Sequence, residues 1–135
     1  MADTRTIDRE ALLAHAREAR DRAYAPYSEY RVGAAVFTGS GKVFVGANVE
    51  NASYGLTVCA ERVAAWAAVV AGERTLIAMA VAGEPGKRSV PCGACLQVLS
   101  EFGPDMEIIV ENESGAIEVH RLSEFLPEAF SLDAE

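Results

Sequence analysis

The chain has 135 residues, 12 basic against 20 acidic side chains and a formal net charge of −8, with 50% hydrophobic and 24% charged residues. Those proportions exclude a disordered chain and suit one globular domain spanning 1–135. The acidic balance argues against a nucleic-acid partner, and no apolar run approaches the ~18–20 residues of a membrane span. Met1 to Arg9 mixes Asp and Arg without an apolar stretch, so no secretory signal is expected and the default compartment is the cytoplasm.

Leu12, Leu13, Ala16, Ala19 and Ala23 recur at helical spacing and predict a helix over Ile7 to Ala23, with Asp8 as its N-cap. Val32 to Thr38 and Lys42 to Asn48 read as a β-hairpin about the turn Gly39-Ser40-Gly41. Asn48 to Val58 is a long polar loop of the kind that often carries function. Cys59 to Gly72 predicts a largely buried helix. The continuous apolar run Leu76 to Ala82 predicts a central strand covered on both faces. A loop over Pro85 to Val90 leads to a helix over Cys92 to Phe102, with Pro91 before it and Gly103 after it. Strands at Met106 to Glu111 and Ala116 to His120 follow, then a short helix from Ser123 to Phe130 interrupted by Pro127. Glu128 to Glu135 reads as a solvated acidic tail. The order αββαβαββα implies a mixed sheet covered on both faces.

The chemistry concentrates in Cys59-Ala60-Glu61 and Pro91-Cys92-Gly93-Ala94-Cys95. An odd number of cysteines with no export signal argues against a disulfide framework. Both groups open predicted helices, where free N–H groups and the helix dipole stabilise thiolates. Cys92 and Cys95 lie one turn apart and can meet at one point, with Cys59 arriving from another helix. Three thiolates favour zinc, and three protein ligands leave a position for water, as in a catalytic site. Glu61 is placed to move a proton beside that metal. Cys-x-Glu with Pro-Cys-x-x-Cys is the zinc-deaminase pattern with Cys in place of His. A structural zinc site completed by His15 or His120, and three merely buried cysteines, are the weaker readings.

On these motifs the sequence resembles the small, homotetrameric cytidine deaminases that act on free nucleosides. The resemblance runs from about Ala23 to Ser131. It is carried also by Tyr24-Ala25-Pro26-Tyr27-Ser28, Val32-Gly33-Ala34-Ala35, Asn48-Val49-Glu50-Asn51-Ala52-Ser53-Tyr54, Arg62 and Leu126-Pro127-Glu128-Ala129-Phe130.

The resemblance implies a three-layer α/β/α fold with a five-stranded mixed sheet and one Zn2+ per chain on Cys59, Cys92 and Cys95. It implies hydrolysis of cytidine and deoxycytidine to uridine and deoxyuridine with release of ammonia, a reaction of pyrimidine salvage. Glu61 would be the proton shuttle. Asn48 and Glu50 would hold the ribose, the backbone around Ala60 would meet the pyrimidine, and Tyr30 would pack on the base where the family usually has Phe. Ala52, Tyr54 and Phe130 would reach a neighbouring subunit's site in a homotetramer, while Trp66 falls in the core or at a subunit interface.

Two positions depart from the family. Leu96 stands where Arg is usual, which leaves Arg62 and the helix termini to offset the thiolate charge. Glu128 stands where Gly is common. An alternative substrate is a related cytosine-bearing nucleoside, such as a blasticidin-type antibiotic; retention of Asn48 and Glu50 favours the ribose-bearing nucleosides. An editing deaminase would need a basic strand-tracking surface, and a zinc-binding module without catalysis would not need Glu61.

Overall fold

A computed structural model describes residues 7–132. The first helix, α1, is Arg9–Arg20. Asp8 caps it, with Oδ1 accepting from the Ala11 N–H at 3.0 Å. The helix stops short of the predicted Ala23 because the chain is captured elsewhere. The Tyr24 N–H donates to the Asn48 carbonyl at 2.9 Å, and Tyr24 forms a parallel bridge with Val49. A tertiary pairing outweighs one more turn of helix.

Strands β1 (Gly33–Thr38) and β2 (Val43–Ala47) form the expected antiparallel hairpin. Helix α2 is Ala60–Val70, β3 is Leu76–Ala82 and α3 is Gly93–Ser100. Strands β4 (Glu107–Glu111) and β5 (Ile117–Arg121) follow, then α4, Leu122–Phe125. The five strands form one sheet in the order β2-β1-β3-β4-β5. Only the β3–β4 pair is parallel, so the sheet is mixed.

Alternation along β3 feeds two cores. Ala78, Ala80 and Ala82 face Leu12, Leu13 and Ala16 of α1. Met79 and Val81 face the opposite side, with Ala64 and Ala68 of α2 and Leu96 and Leu99 of α3; Leu76 joins that core too, at the end of the strand where the register with β1 shifts. Small residues on the first face let α1 lie close to the sheet. Gly33 completes that approach, since a Cβ there would collide with the Ala16 carbonyl and the Arg20 backbone. Gly46 does the same for α2, because a Cβ would strike the backbone at Ala60 and Ala64. The close contact at Gly46 thus seats the start of α2, which carries the candidate chemistry.

Two further expectations are corrected. The last helix spans only Leu122–Phe125 instead of running to Phe130. Pro127 disfavours helical geometry at Leu126, which sits at φ −140° and ψ 79°. Phe130 is instead held by Gln97, whose amide donates to the Phe130 carbonyl at 2.8 Å and accepts from its N–H at 3.2 Å. Trp66 is 44% exposed, which leaves the interface reading and removes the core one. The loop 48–58 carries a 3-10 turn at Tyr54–Leu56 and an antiparallel bridge between Val49 and Val58. Of the acidic tail, Glu128 is exposed, and Asp133 to Glu135 lie outside the described residues.

Candidate active site

Cys59 and Cys92 are the N-cap residues of α2 and α3, both in extended backbone geometry. Neither spends its side chain on a capping hydrogen bond, so both sulfurs are free to turn toward a common point. Cys95 enters from the first turn of α3 and is fully buried, whereas Cys92 is exposed. The Cys59 and Cys92 Sγ atoms lie 3.8 Å apart, and those of Cys92 and Cys95 3.6 Å.

This donor set fits zinc. A tetrahedral centre with Zn–S bonds of about 2.3 Å separates its sulfurs by about 3.8 Å. Among the described residues, no His, Asp or Glu joins the three sulfurs that cluster within 4.8 Å of one another. His15 is exposed on α1, and His120 on β5 bonds Glu118 and Glu124 at 3.0 and 3.2 Å. Three protein ligands among the described residues is the ligand count of a catalytic zinc site, in which water takes the fourth position.

The site stabilises thiolate before any metal arrives. Cys59 is pushed down to about 5, chiefly by a hydrogen bond from Cys95 and also by Arg62 and Cys92. Cys95 moves the opposite way, because its proton is held against the Cys59 sulfur and because it is buried. Arg62 donates from Nη2 to the Cys59 Sγ at 3.4 Å, and that bond raises its own affinity for its proton. Its Nε is buried without a hydrogen-bond partner among the described residues. Leu96 is 5% exposed and belongs to the apolar core, so Arg62 is the cation that meets the sulfurs.

Glu61, in the first turn of α2, is 4% exposed. Burial pushes its carboxyl up to about 7, and the Cys59 charge adds to that, against its own backbone N–H and Arg62. A carboxyl poised there can both take and give a proton near neutrality.

A second group of predicted residues assembles along the strip that pairs with Val58. Glu50 is 9% exposed and accepts from the Tyr27 N–H at 2.9 Å, the Ser28 N–H at 3.1 Å and the Ser28 hydroxyl. These bonds hold it below the usual carboxylate range, the Ser28 hydroxyl most of all, so it stays ionised. Asn48 accepts from the Val32 N–H at 2.8 Å and donates to the Tyr30 carbonyl at 3.0 Å. Its amide therefore shapes the backbone beside Tyr30 and keeps one N–H in reserve. The Val49–Val58 bridge sets this strip directly against the residues leading into Cys59. Ala60 is buried at the start of α2, where the first N–H groups have no partner within the helix.

A cleft of about 350 Å3 lies beside Glu50, lined by Tyr27, Ser28, Tyr54 and Thr57. Tyr27 and Tyr54 meet edge to face, with ring centroids 6.0 Å apart. Ala52, Tyr54 and Phe130 are exposed, Tyr54 at 75% and Phe130 at 67%. Sequence reasoning assigned no role to Tyr27, Ser28, Thr57 or Ser89. Ser28 lies 22 residues from the carboxylate it bonds, and no local pattern announces such a pairing.

Comparison with known proteins agrees with this geometry. The family model described as the cytidine and deoxycytidylate deaminase zinc-binding region matches residues 6–111. The chain is 45% identical over 128 residues to a cytidine deaminase of Halalkalibacterium halodurans, covering 94% of this chain and 97% of that one. It is 41% identical over 127 residues to a cytidine deaminase of Mycobacterium tuberculosis, covering 94% and 92%. The crystal structure of cytidine deaminase from Burkholderia pseudomallei superposes with a TM-score of 0.86 at 49% identity, covering 92% of this chain and all of that one.

Proposed function

The chain belongs to the cytidine and deoxycytidylate deaminase family, and from that membership we propose that it hydrolyses free cytidine and deoxycytidine to uridine and deoxyuridine, releasing ammonia. The observation that carries the reading is a buried Glu61 beside three convergent sulfurs. Cys59, Cys92 and Cys95 are the residues that would hold one Zn2+ per chain. Zinc there supplies a Lewis acid that makes water nucleophilic near neutral pH.

The chain's own groups do the rest. Glu61 takes a proton from the attacking water and delivers it to N3 of the cytosine ring, then moves that water's second proton from the C4 hydroxyl to the amino group as the C4–N bond breaks. Water's oxygen stays at C4 and the nitrogen leaves as ammonia. The Ala60 backbone meets the pyrimidine, and the Tyr30 ring packs on its face. Glu50 retains acceptor capacity for a sugar hydroxyl after its three protein donors, and Asn48 offers its remaining N–H. Arg62 offsets the thiolate charge from the Cys59 side. Three thiolate ligands need a reducing compartment, which supports the cytoplasm.

The cleft beside Glu50 favours a nucleoside over a nucleotide. Among the described residues its lining holds two tyrosines, two hydroxyl side chains and an ionised carboxylate, and no Lys, Arg or His. A phosphate brought to this side of the sugar meets repulsion in place of a cation. The test is the ultraviolet change on mixing the zinc-loaded protein with each substrate. Cytidine and deoxycytidine should be converted, with kcat/KM for dCMP lower by about 100-fold or more. No conversion of either nucleoside at one zinc per chain would overturn the reading. Efficient use of dCMP would overturn the argument from the cleft. The relatives reported above are cytidine deaminases, and the antibiotic reading is not favoured.

The same proposal includes a homotetramer with shared active sites. It is supported by the exposure of Tyr54, Leu56, Trp66 and Phe130, large apolar side chains that a partner can cover. Ala52, Tyr54 and Phe130 would then reach a neighbour's substrate. Light scattering of the zinc-loaded protein should give about four times the mass of the 14.4 kDa chain; a monomer would remove the shared-site reading.

A further inference from the structure

Tyr30 carries a hydroxyl that its proposed work on the base does not need, and the structure gives that hydroxyl a partner. It shares a hydrogen bond with the Ser89 hydroxyl, 59 residues away in sequence. The pair is seated closely. A Cβ at Gly83, just past β3, would collide with both hydroxyl oxygens. Ser89 lies in the loop that follows Gly83 and leads through buried Pro91 to Cys92.

Other contacts fix this loop independently of the two hydroxyls. The Arg31 N–H and Nε donate to Glu84 at 2.9 and 3.3 Å. Arg20 donates to the Gly83 carbonyl. Arg88 pairs with Glu118 of β5 at 2.9 Å. The loop is therefore already anchored, and the Ser89 hydroxyl is presented to Tyr30 from a fixed support. On the other side, the Tyr30 carbonyl is held by Asn48. Tyr30 is thus held at its backbone by Asn48 and at the tip of its ring by Ser89.

The geometry points to Ser89 as a positioning residue for the substrate. Through the Tyr30 hydroxyl it fixes the angle of the ring that packs on the pyrimidine. This inference rests on the reading of Tyr30 given above. A ring held at one end only can swing about its Cα–Cβ and Cβ–Cγ bonds, and each base it receives must first stop that motion. A hydrogen bond at the tip removes the motion before substrate arrives. The benefit falls on binding and not on the proton transfers at Glu61.

The test compares Tyr30→Phe, Ser89→Ala and the double variant with the zinc-loaded parent, by cytidine kinetics and by thermal melting. Each single variant should raise KM about fivefold while kcat changes by less than about twofold. The double variant should be no worse than either single, because both remove the same bond. Ser89→Thr keeps a hydroxyl and should restore KM to within about twofold of the parent. A Ser89→Ala variant with a lower melting temperature and an unchanged KM would reduce the bond to a loop staple and overturn the inference. Effects that multiply in the double variant would overturn it too. A parent that does not deaminate cytidine would instead sink the functional reading, a result visible before any variant is made.

Discussion

Glu61→Gln should lower kcat by about 100-fold to 10,000-fold while the protein keeps one zinc per chain. The substitution preserves the shape of a side chain that is 4% exposed, so the site around it should stay intact. What it removes is the group that accepts and returns a proton. Stability should move the other way. Burial raises the Glu61 carboxyl from 4.5 to about 7 in the folded chain. A raised acid opposes folding once the pH exceeds its unfolded value, and the cost is full above the folded one. At pH 8 the metal-free parent therefore carries a buried carboxylate that the glutamine variant lacks. Metal-free Glu61→Gln should be more stable there by about 1–2 kcal/mol, and the gain should vanish near pH 4. Urea titration of both proteins at the two pH values measures it. A variant that keeps the parent's kcat would remove Glu61 from the proton path.

The parts of this molecule that could be read in advance are those whose cause is local. The run Leu76 to Ala82 is apolar at every position, and the structure makes it the central strand. Asp8 could be picked as a cap because its carboxylate needs only the N–H three residues on. The metal trio was legible because Cys92 and Cys95 are one turn apart and because Cys-Ala-Glu opens a second helix. What escaped depends on contacts between distant segments. The end of α1 is decided by Tyr24 pairing with Val49. The grip of Ser28 on Glu50, and of Ser89 on Tyr30, joins residues with no shared periodicity. The close seats at Gly33 and Gly46 were invisible for a related reason. A glycine in a strand does not reveal which helix will lie against it. Pro127 was seen as an interruption, and its effect was underestimated, since the helix ends before it and does not resume.

Replacing either Cys92 or Cys95 by Ala should abolish deamination and reduce bound zinc to below about 0.1 per chain, because two thiolates and water make a far weaker site than three. The two variants should differ in how far they destabilise the fold. Cys92 is exposed, so its removal forfeits only the stabilisation that metal binding lends the folded state. Cys95 is fully buried in the first turn of α3, so its removal also empties space in the interior. Melting in the presence of a strong chelator separates these terms. Stripped parent and Cys92→Ala should then melt within about 1–2 °C of each other, while Cys95→Ala should lie lower by several degrees, about 1 kcal/mol of lost packing. Without chelator, all the difference between parent and Cys92→Ala is metal. Retention of one zinc per chain by Cys95→Ala would show that the buried sulfur is a packing group and that the metal is held elsewhere. The sulfur separations, 3.6 Å for Cys92–Cys95 and 3.8 Å for Cys59–Cys92, suit one shared zinc and argue for loss of the metal.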